Sequence, residues 1–411
     1  MTEVLKVSLV NDYLARKQHL LPASRLADVV QVTRDIVALH ATAPTGPYLS
    51  LWARVPDFQR QGLEDALYER RELVRVHCMR MTVHAVPSDE VPFFFQAYVE
   101  RHTRAEFQGW ESLLVQAGLC QEGEAEAFLK QLHRQVLDVL TERGPSTVRQ
   151  ISQAVPELKA KIRHGVGKSY EGQFSIGSRL MLTMSVLGLL VRARPRGTWR
   201  SNLYEYAALS DWLPDVDPES VTPQEARAWL VRRYLAAFGP ATLDDVQWWT
   251  GFSKGETEEA LGALKPVAVE VAIEGLGDGY LMLAEDARCL RDFPPPDTPY
   301  VFLLPGLDPY IMGYHDRGRF LAAEYRTKVF DRAGNAMPTV WANGRVVGAW
   351  GQRKACGEPG RTNGSVVYGL FEPVGEEEQA LLESEVQRLE GFLGGEFLPP
   401  RIYTPFTRAL K

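Results

Sequence analysis

Apolar residues recur at spacings of three and four in Phe128, Leu132, Val136 and Leu140, and again in Ala228, Val231, Leu235 and Phe238. Such spacings line up side chains on one helical face. Each run stops at a Gly-Pro pair, Gly144-Pro145 and Gly239-Pro240, 95 residues apart. Glycine ends a helix, and the Ser-Thr or Ala-Thr next in the chain offers the N-cap of a second short helix. The stretches Gly-Pro-Ser-Thr-Val-Arg-Gln-Ile and Gly-Pro-Ala-Thr-Leu-Asp-Asp-Val therefore mark an internal repeat.

The chain downstream of each stretch repeats as well. The first is succeeded by an apolar helix from Ile176 to Leu189, an extended Leu190 to Arg194, a turn at Pro195 to Thr198, and a return from Trp199 to Tyr206. The second is succeeded by a helix from Ser253 to Leu264, an extended Val267 to Val271, a turn at Gly275 to Gly279, and Tyr280 to Leu283. Helix, helix, helix and two-stranded ribbon is the winged-helix plan. The N-terminal region fits it less cleanly. Leu26, Val29, Val30, Ile36, Val37 and Leu39 predict a first helix ending near His40, Leu63 to Arg70 a later one, and Val74 to Val86 an extended stretch.

From Pro294 the pattern changes to short β-like runs at Tyr300 to Leu304, Phe320 to Ala323, Thr339 to Ala342, Val346 to Trp350 and Val366 to Phe371. Asn343-Gly344 and Asn363-Gly364 are hairpin signals. Glu376 to Leu393 reads as an acidic amphipathic helix. The expected fold is α+β: three tandem winged-helix domains (1–125 with a helical insertion, 126–215, 216–293) and a small C-terminal antiparallel β-barrel over 294–411 with the terminal helix.

A composition of 45% hydrophobic and 24% charged residues over 411 residues is that of a folded chain of several domains. No apolar run approaches the roughly 18–20 residues that span a bilayer. The stretch Met1 to Arg16 lacks the pattern of a secretory signal, so a cytoplasmic protein without membrane attachment is expected. Cys78, Cys120, Cys289 and Cys356 lie far apart, which argues against a zinc knuckle or disulfide scaffold. No Walker A loop, dinucleotide fingerprint or H-E-x-x-H motif occurs, so no metal or nucleotide cofactor is expected.

The net charge of −6 argues against a polyanionic partner until its distribution is considered. From Gly144 to Glu205 ten Lys or Arg face three acids, +7 in 62 residues, which leaves −13 for the remainder. A locally basic segment of this kind invites a polyanion, and the expected partner is double-stranded DNA once the resemblance below is added. Within it Arg192, Arg194, Arg196 and Arg200 surround a wing tip, either as phosphate contacts or as a solvated hairpin. In Met79 to Val86, alternation puts Met79, Met81, Val83 and Ala85 toward the core and Arg80, Thr82 and His84 on the other face, as a phosphate-binding row or a half-exposed strand. In Leu39-His-Ala-Thr-Ala-Pro44, Pro44 biases Ala43 away from helical angles. An extended exit would then aim His40 and Thr42 at one spot; the alternative is a helix-terminus hydrogen bond.

These segments carry a family resemblance. Leu39 to Pro44, Tyr48-Leu-Ser-Leu-Trp-Ala-Arg54, Val76-His-Cys-Met-Arg-Met-Thr-Val-His84, Leu303-Leu-Pro-Gly-Leu-Asp-Pro-Tyr-Ile-Met-Gly-Tyr-His-Asp-Arg317 and Val346-Val-Gly-Ala-Trp350 together resemble the winged-helix DNA glycosylases of the azinomycin-resistance type, with their bacterial interstrand-crosslink repair relatives. The resemblance implies removal of N7-alkylated guanines, some bulky or crosslinked, around a DNA-sized cleft. The family's motif is Gln, an apolar residue and Gln, or Gln-apolar-Asp in one branch; here His40, Ala41 and Thr42 stand in its place. The implied roles are water activation by His40, water positioning by Thr42, and a site wall of Arg80 and His84. Lys168, Arg192, Arg194, Arg196, Arg200, Tyr314, Arg317 and Arg353 form the expected DNA-binding set. The chain is expected to act as a monomer, since three such units clamp one duplex, whereas regulators usually pair single units on two half-sites. A non-catalytic DNA-binding regulator or damage sensor is the rival reading.

Overall fold

A computed structural model describes residues 4–105, 109–164, 172–265, 267–354, 364–400 and 402–410. The chain divides into two compact units, Met1–Leu63 with Ala228–Lys411 and Glu64–Arg227. This division is coarser than the sequence boundaries and makes the first unit discontinuous.

In the unit Glu64–Arg227, helix Ala125–Arg143 buries Leu129, Leu132, Val136 and Leu140 against Ile151, Leu180 and Met184. Thr147 caps helix Val148–Ala154 in a reciprocal box with Gln150, as the repeat predicts. A hairpin, Lys161–His164 with Gly172–Ser175, precedes helix Ile176–Val186. The ribbon is Leu190–Pro195 paired with Tyr204–Ala208. Its return strand starts at Tyr204 rather than Trp199, because the buried Trp199 sits in a loop that Arg196 N closes onto Leu203 O at 2.7 Å. Five strands of this unit form one sheet in the order Val83–Pro87, Leu73–His77, Leu190–Pro195, Tyr204–Ala208, Ser146–Thr147. The join is the pairing of Arg75 with Arg192, which ties the N-terminal strands to the ribbon. Arg75 is buried there, bonded to the Tyr68 hydroxyl and set over the Tyr68 and Tyr204 rings.

The stretch expected to be one strand from Val74 to Val86 is a hairpin. Leu73–His77 and Val83–Pro87 are antiparallel, joined by a 3₁₀ turn at Met79–Met81. Alternation alone cannot distinguish a straight strand from two strands joined by a tight turn, and no Gly or Asn marks this one.

The other unit begins with strand Val4–Leu5, which pairs in parallel with Ala268–Ile273. Helix Val7–Lys17 comes next, then helix Val29–Asp35, capped by the Asp28 carboxylate. The latter stops well before His40: Ile36 leaves helical geometry, and the fully buried Val37 has φ 70°. The second repeat appears as helices Pro223–Phe238, Leu243–Thr250 and Lys254–Ala263 and the ribbon Ala268–Ile273 with Gly277–Leu283. Thr242–Asp245 and Ser253–Glu256 capping boxes start its second and third helices.

The C-terminal strands Val301–Leu304, Thr339–Ala342, Arg345–Lys354 and Gly364–Leu370 form an antiparallel sheet in chain order, open rather than closed among the described residues. Asn343 and Gly344, at φ 48° and 75°, make the tight hairpin their sequence predicts. Phe320 to Ala323 is not a strand. Phe320 instead packs among Tyr310, Tyr314 and Trp341, and ring burial overrides its β propensity. Helix Glu376–Leu393 forms as expected.

Candidate active site

His40 ends the two-residue strand Leu39–His40, and Thr42 lies in the bend that follows, so the extended stretch stops short of Thr42. His40 is half-buried, Ala41 is fully buried and Thr42 is exposed, so His40 and Thr42 flank a residue that faces the core. The chain then turns into helix Gly46–Trp52. A Cβ at Gly46 would lie 2.8 Å from His40 O, closer than side chains tolerate, so glycine lets this helix start against the His40 carbonyl.

That helix is fixed from its other end. Arg54 Nη1 and Nη2 donate to Asp308 Oδ2 and Oδ1 at 2.8 and 2.7 Å, and Ser50 Oγ donates to Oδ2 at 2.8 Å. Tyr310 N donates to Oδ1 at 3.0 Å, and Arg54 Nη1 also reaches Ser50 O at 2.9 Å. Both charged side chains are 0% exposed. A planar guanidinium and a carboxylate meet as a bidentate pair with nearly every lone pair used. Arg54 and Asp308 stand within the segments that carry the family resemblance but outside the expected site set. Their available signal was charge inside otherwise apolar runs, Leu-Ser-Leu-Trp-Ala-Arg and Leu-Leu-Pro-Gly-Leu-Asp.

Arg80 and His84 belong to the other unit and do not share a strand row. Arg80 sits in the turn, with φ 52° and ψ 32°. His84 is buried in the following strand, its Nδ1 at 3.3 Å from Cys78 Sγ and 3.4 Å from Thr82 Oγ1. Complete burial pushes the Cys78 thiol up, which makes it a packing partner rather than a nucleophile. Burial first, then the Arg192 guanidinium, lowers His77 to about 3, so it stays neutral.

The wing arginines carry local partners. Arg194 Nη1 and Nη2 donate to Glu64 at 3.2 Å and Glu69 at 2.7 Å, with the guanidinium over the Tyr68 ring. Arg196 Nε donates to Glu205 at 2.6 Å. Arg192 lies over Tyr204 and Arg200 is half-buried in the loop. Lys168 lies outside the described residues. Two members of the expected DNA set lie inside the fold. Tyr314 is buried and its hydroxyl donates to Phe238 O at 2.8 Å. Arg317 is buried, donates to His315 O at 3.2 Å, and stacks on Phe330 and Trp248. Aromatic packing claimed both, so they hold the fold from inside. Arg353 is exposed and bonds Leu410 O at 3.3 Å. Among the described residues no helix is long and apolar enough to cross a membrane, and no three or more His, Cys, Asp or Glu are grouped to hold a metal ion.

A family model for AlkZ-like DNA glycosylases matches residues 33–392. The chain is similar to the interstrand DNA cross-link repair glycosylase of Streptomyces sahachiroi, at 33% identity over 132 residues. That alignment spans 31% of this chain and 34% of the relative. The solved structure of the Streptomyces sahachiroi DNA glycosylase AlkZ matches with a TM-score of 0.73 at 20% identity, covering 97% of this chain and all of that one.

Proposed function

Because the chain belongs to the AlkZ-like family of DNA glycosylases, we propose that it hydrolyses the N-glycosidic bond of N7-alkylated guanine in double-stranded DNA, bulky and crosslinked adducts included. The observation that supports this reading is the strand Leu39–His40 running into the buried Ala41 and the exposed Thr42, the residues read in place of the family motif. N7-alkylation makes guanine cationic, so the base leaves as a neutral molecule when the C1′–N9 bond breaks. What remains is to stabilise an oxocarbenium-like sugar and deliver water to C1′. His40 accepts the water proton as oxygen bonds to C1′, and the Thr42 hydroxyl fixes the water by a hydrogen bond. The reaction is that of a monofunctional enzyme, with no covalent lysine step and no metal or nucleotide cofactor.

The helix–helix–helix–ribbon units are read as winged helices within 1–125, 126–215 and 216–293, with a barrel-like region over 294–411, acting as a monomer on DNA in the bacterial cytoplasm. Arg80 and His84 remain proposed for the site wall, and Lys168, Arg192, Arg194, Arg196, Arg200 and Arg353 for phosphates. The ion pair between the solvent-facing Arg194 and Glu69 is worth about 0–1 kcal/mol, weak enough for phosphate to displace the carboxylate, and Arg196 is exposed on its own side of the pair with the partly buried Glu205. Arg194→Gln with Arg196→Gln is therefore expected to flatten the slope of log K against log salt by about 2, equally on any DNA sequence. An unchanged slope in a salt titration removes both residues from the interface.

The reading itself is tested with duplex DNA carrying one N7-alkylguanine. Abasic sites are converted to breaks by alkali and spontaneous depurination is subtracted. Release above that background is expected. Tight binding without release from small or bulky adducts favours the rival, a damage sensor, which the His-Ala-Thr departure from the Gln-apolar-Gln pattern also suits.

A further inference from the structure

The turn between Leu73–His77 and Val83–Pro87 has properties that an ordinary surface turn lacks. Every residue of both strands is buried, so the hairpin is a stiff element with only its tip in solvent. The tip is closed by bonds on all sides. Cys78 N donates to Thr82 O at 3.1 Å, Met81 N to Cys78 O at 2.9 Å, and Thr82 N and Oγ1 to Met79 O at 3.1 and 2.8 Å. At its apex two successive non-glycine residues are left-handed, Arg80 at φ 52° and Met81 at φ 57°. L-residues rarely adopt that conformation, and two in a row persist only where the surroundings impose it.

The consequence is a reversal of the side chain expected in the core. Met79, Val83 and Ala85 are buried, but Met81 is 53% exposed. Arg80 is exposed beside it, and Thr82 flanks the other side. One long apolar side chain between an arginine and a threonine is no apolar patch, which argues against a protein or lipid partner. It suits a polyanion with stacked flat faces. Unbranched methionine is slim enough to enter between base pairs, and its thioether is polarisable against them. The adjacent guanidinium can hold a phosphate of the same step.

We propose that Met81 is a wedge that enters the base stack of bound duplex DNA, with Arg80 holding the flanking phosphate. This rests on the DNA glycosylase reading and adds to it the residue that opens the duplex. Unstacking a paired base costs free energy that a wedge supplies, and a base already unpaired needs less of it.

The experiment compares the wild type with Met81→Ala and Met81→Leu. In the first arm, undamaged duplex carries 2-aminopurine, whose fluorescence rises when it is unstacked. Saturating wild type and Met81→Leu are expected to raise it severalfold and Met81→Ala to raise it little. In the second arm, single-turnover release is measured from N7-methylguanine in a normal pair and in single-stranded DNA. Met81→Ala is expected to lose about ten- to a hundredfold on the pair, shrinking to about twofold on the single strand. Equal fluorescence with Met81→Ala, or an equal loss on both substrates, overturns the wedge. Wild type that releases no base from either substrate overturns the glycosylase reading, and the fluorescence arm then decides the wedge alone.

Discussion

Replacing Asp308 by alanine is expected to lower the stability of the folded chain by about 3–5 kcal/mol, the loss typical of removing one partner from a buried ion pair. The Arg54 guanidinium that remains would be wholly enclosed, keeping only Ser50 O at 2.9 Å and Gln18 Oε1 at 3.4 Å. A buried cation cannot recover its lost hydration through two neutral acceptors. Ser50 Oγ and Tyr310 N lose an acceptor at the same time. The measurement is the urea midpoint at constant m-value, which separates a stability loss from a change in the unfolded chain. The double variant Arg54→Met with Asp308→Leu removes both charges and is expected to cost less than Asp308→Ala alone, because no uncompensated ion is left. An Asp308→Ala midpoint equal to wild type would mean that water reaches Arg54. Because helix Gly46–Trp52 hangs from this pair and abuts the His40 carbonyl, its loss should loosen the candidate site as well as the core.

The sequence was most legible where structure is local. Helical periodicity, the Gly-Pro stops and the Thr caps at 147 and 242 depend on neighbours within one or two turns, and the repeat they predicted is present. Asn343-Gly344 was legible for the same reason, since the turn chemistry resides in two residues. The misses were non-local. Arg54 and Asp308 lie 254 residues apart, and a charge in an apolar run says that a partner exists without saying which. The pairing of Arg75 with Arg192 joins strands 117 residues apart, which no local pattern announces. Tyr314 and Arg317, both in the expected DNA-binding set, have their apolar bodies taken up by an aromatic cluster from several elements. Met81 departs from its alternation pattern because nothing in its neighbourhood announces a left-handed turn.

The candidate chemistry makes the second large prediction. His40→Ala is expected to slow single-turnover base release by about 10²–10⁴, the usual worth of a general base. DNA affinity and melting temperature are expected to stay close to wild type. Burial in this stretch is carried by Leu39 and Ala41, both fully buried, while His40 is only half-buried. The contact with Gly46 is made by the His40 main-chain carbonyl, which alanine retains. The substitution therefore removes the imidazole and keeps the main-chain contact with Gly46. His40→Gln is the sharper variant, because an amide can orient water by hydrogen bonds but cannot take its proton. It is expected to recover part of the rate and to lack the acid limb of the wild-type profile, where imidazolium, already protonated, is no longer a base. Thr42→Val should cost less than His40→Ala, since it removes one hydrogen bond to the water and leaves the proton acceptor in place. If His40→Ala releases base as fast as wild type at every pH, this imidazole is not the group that activates water.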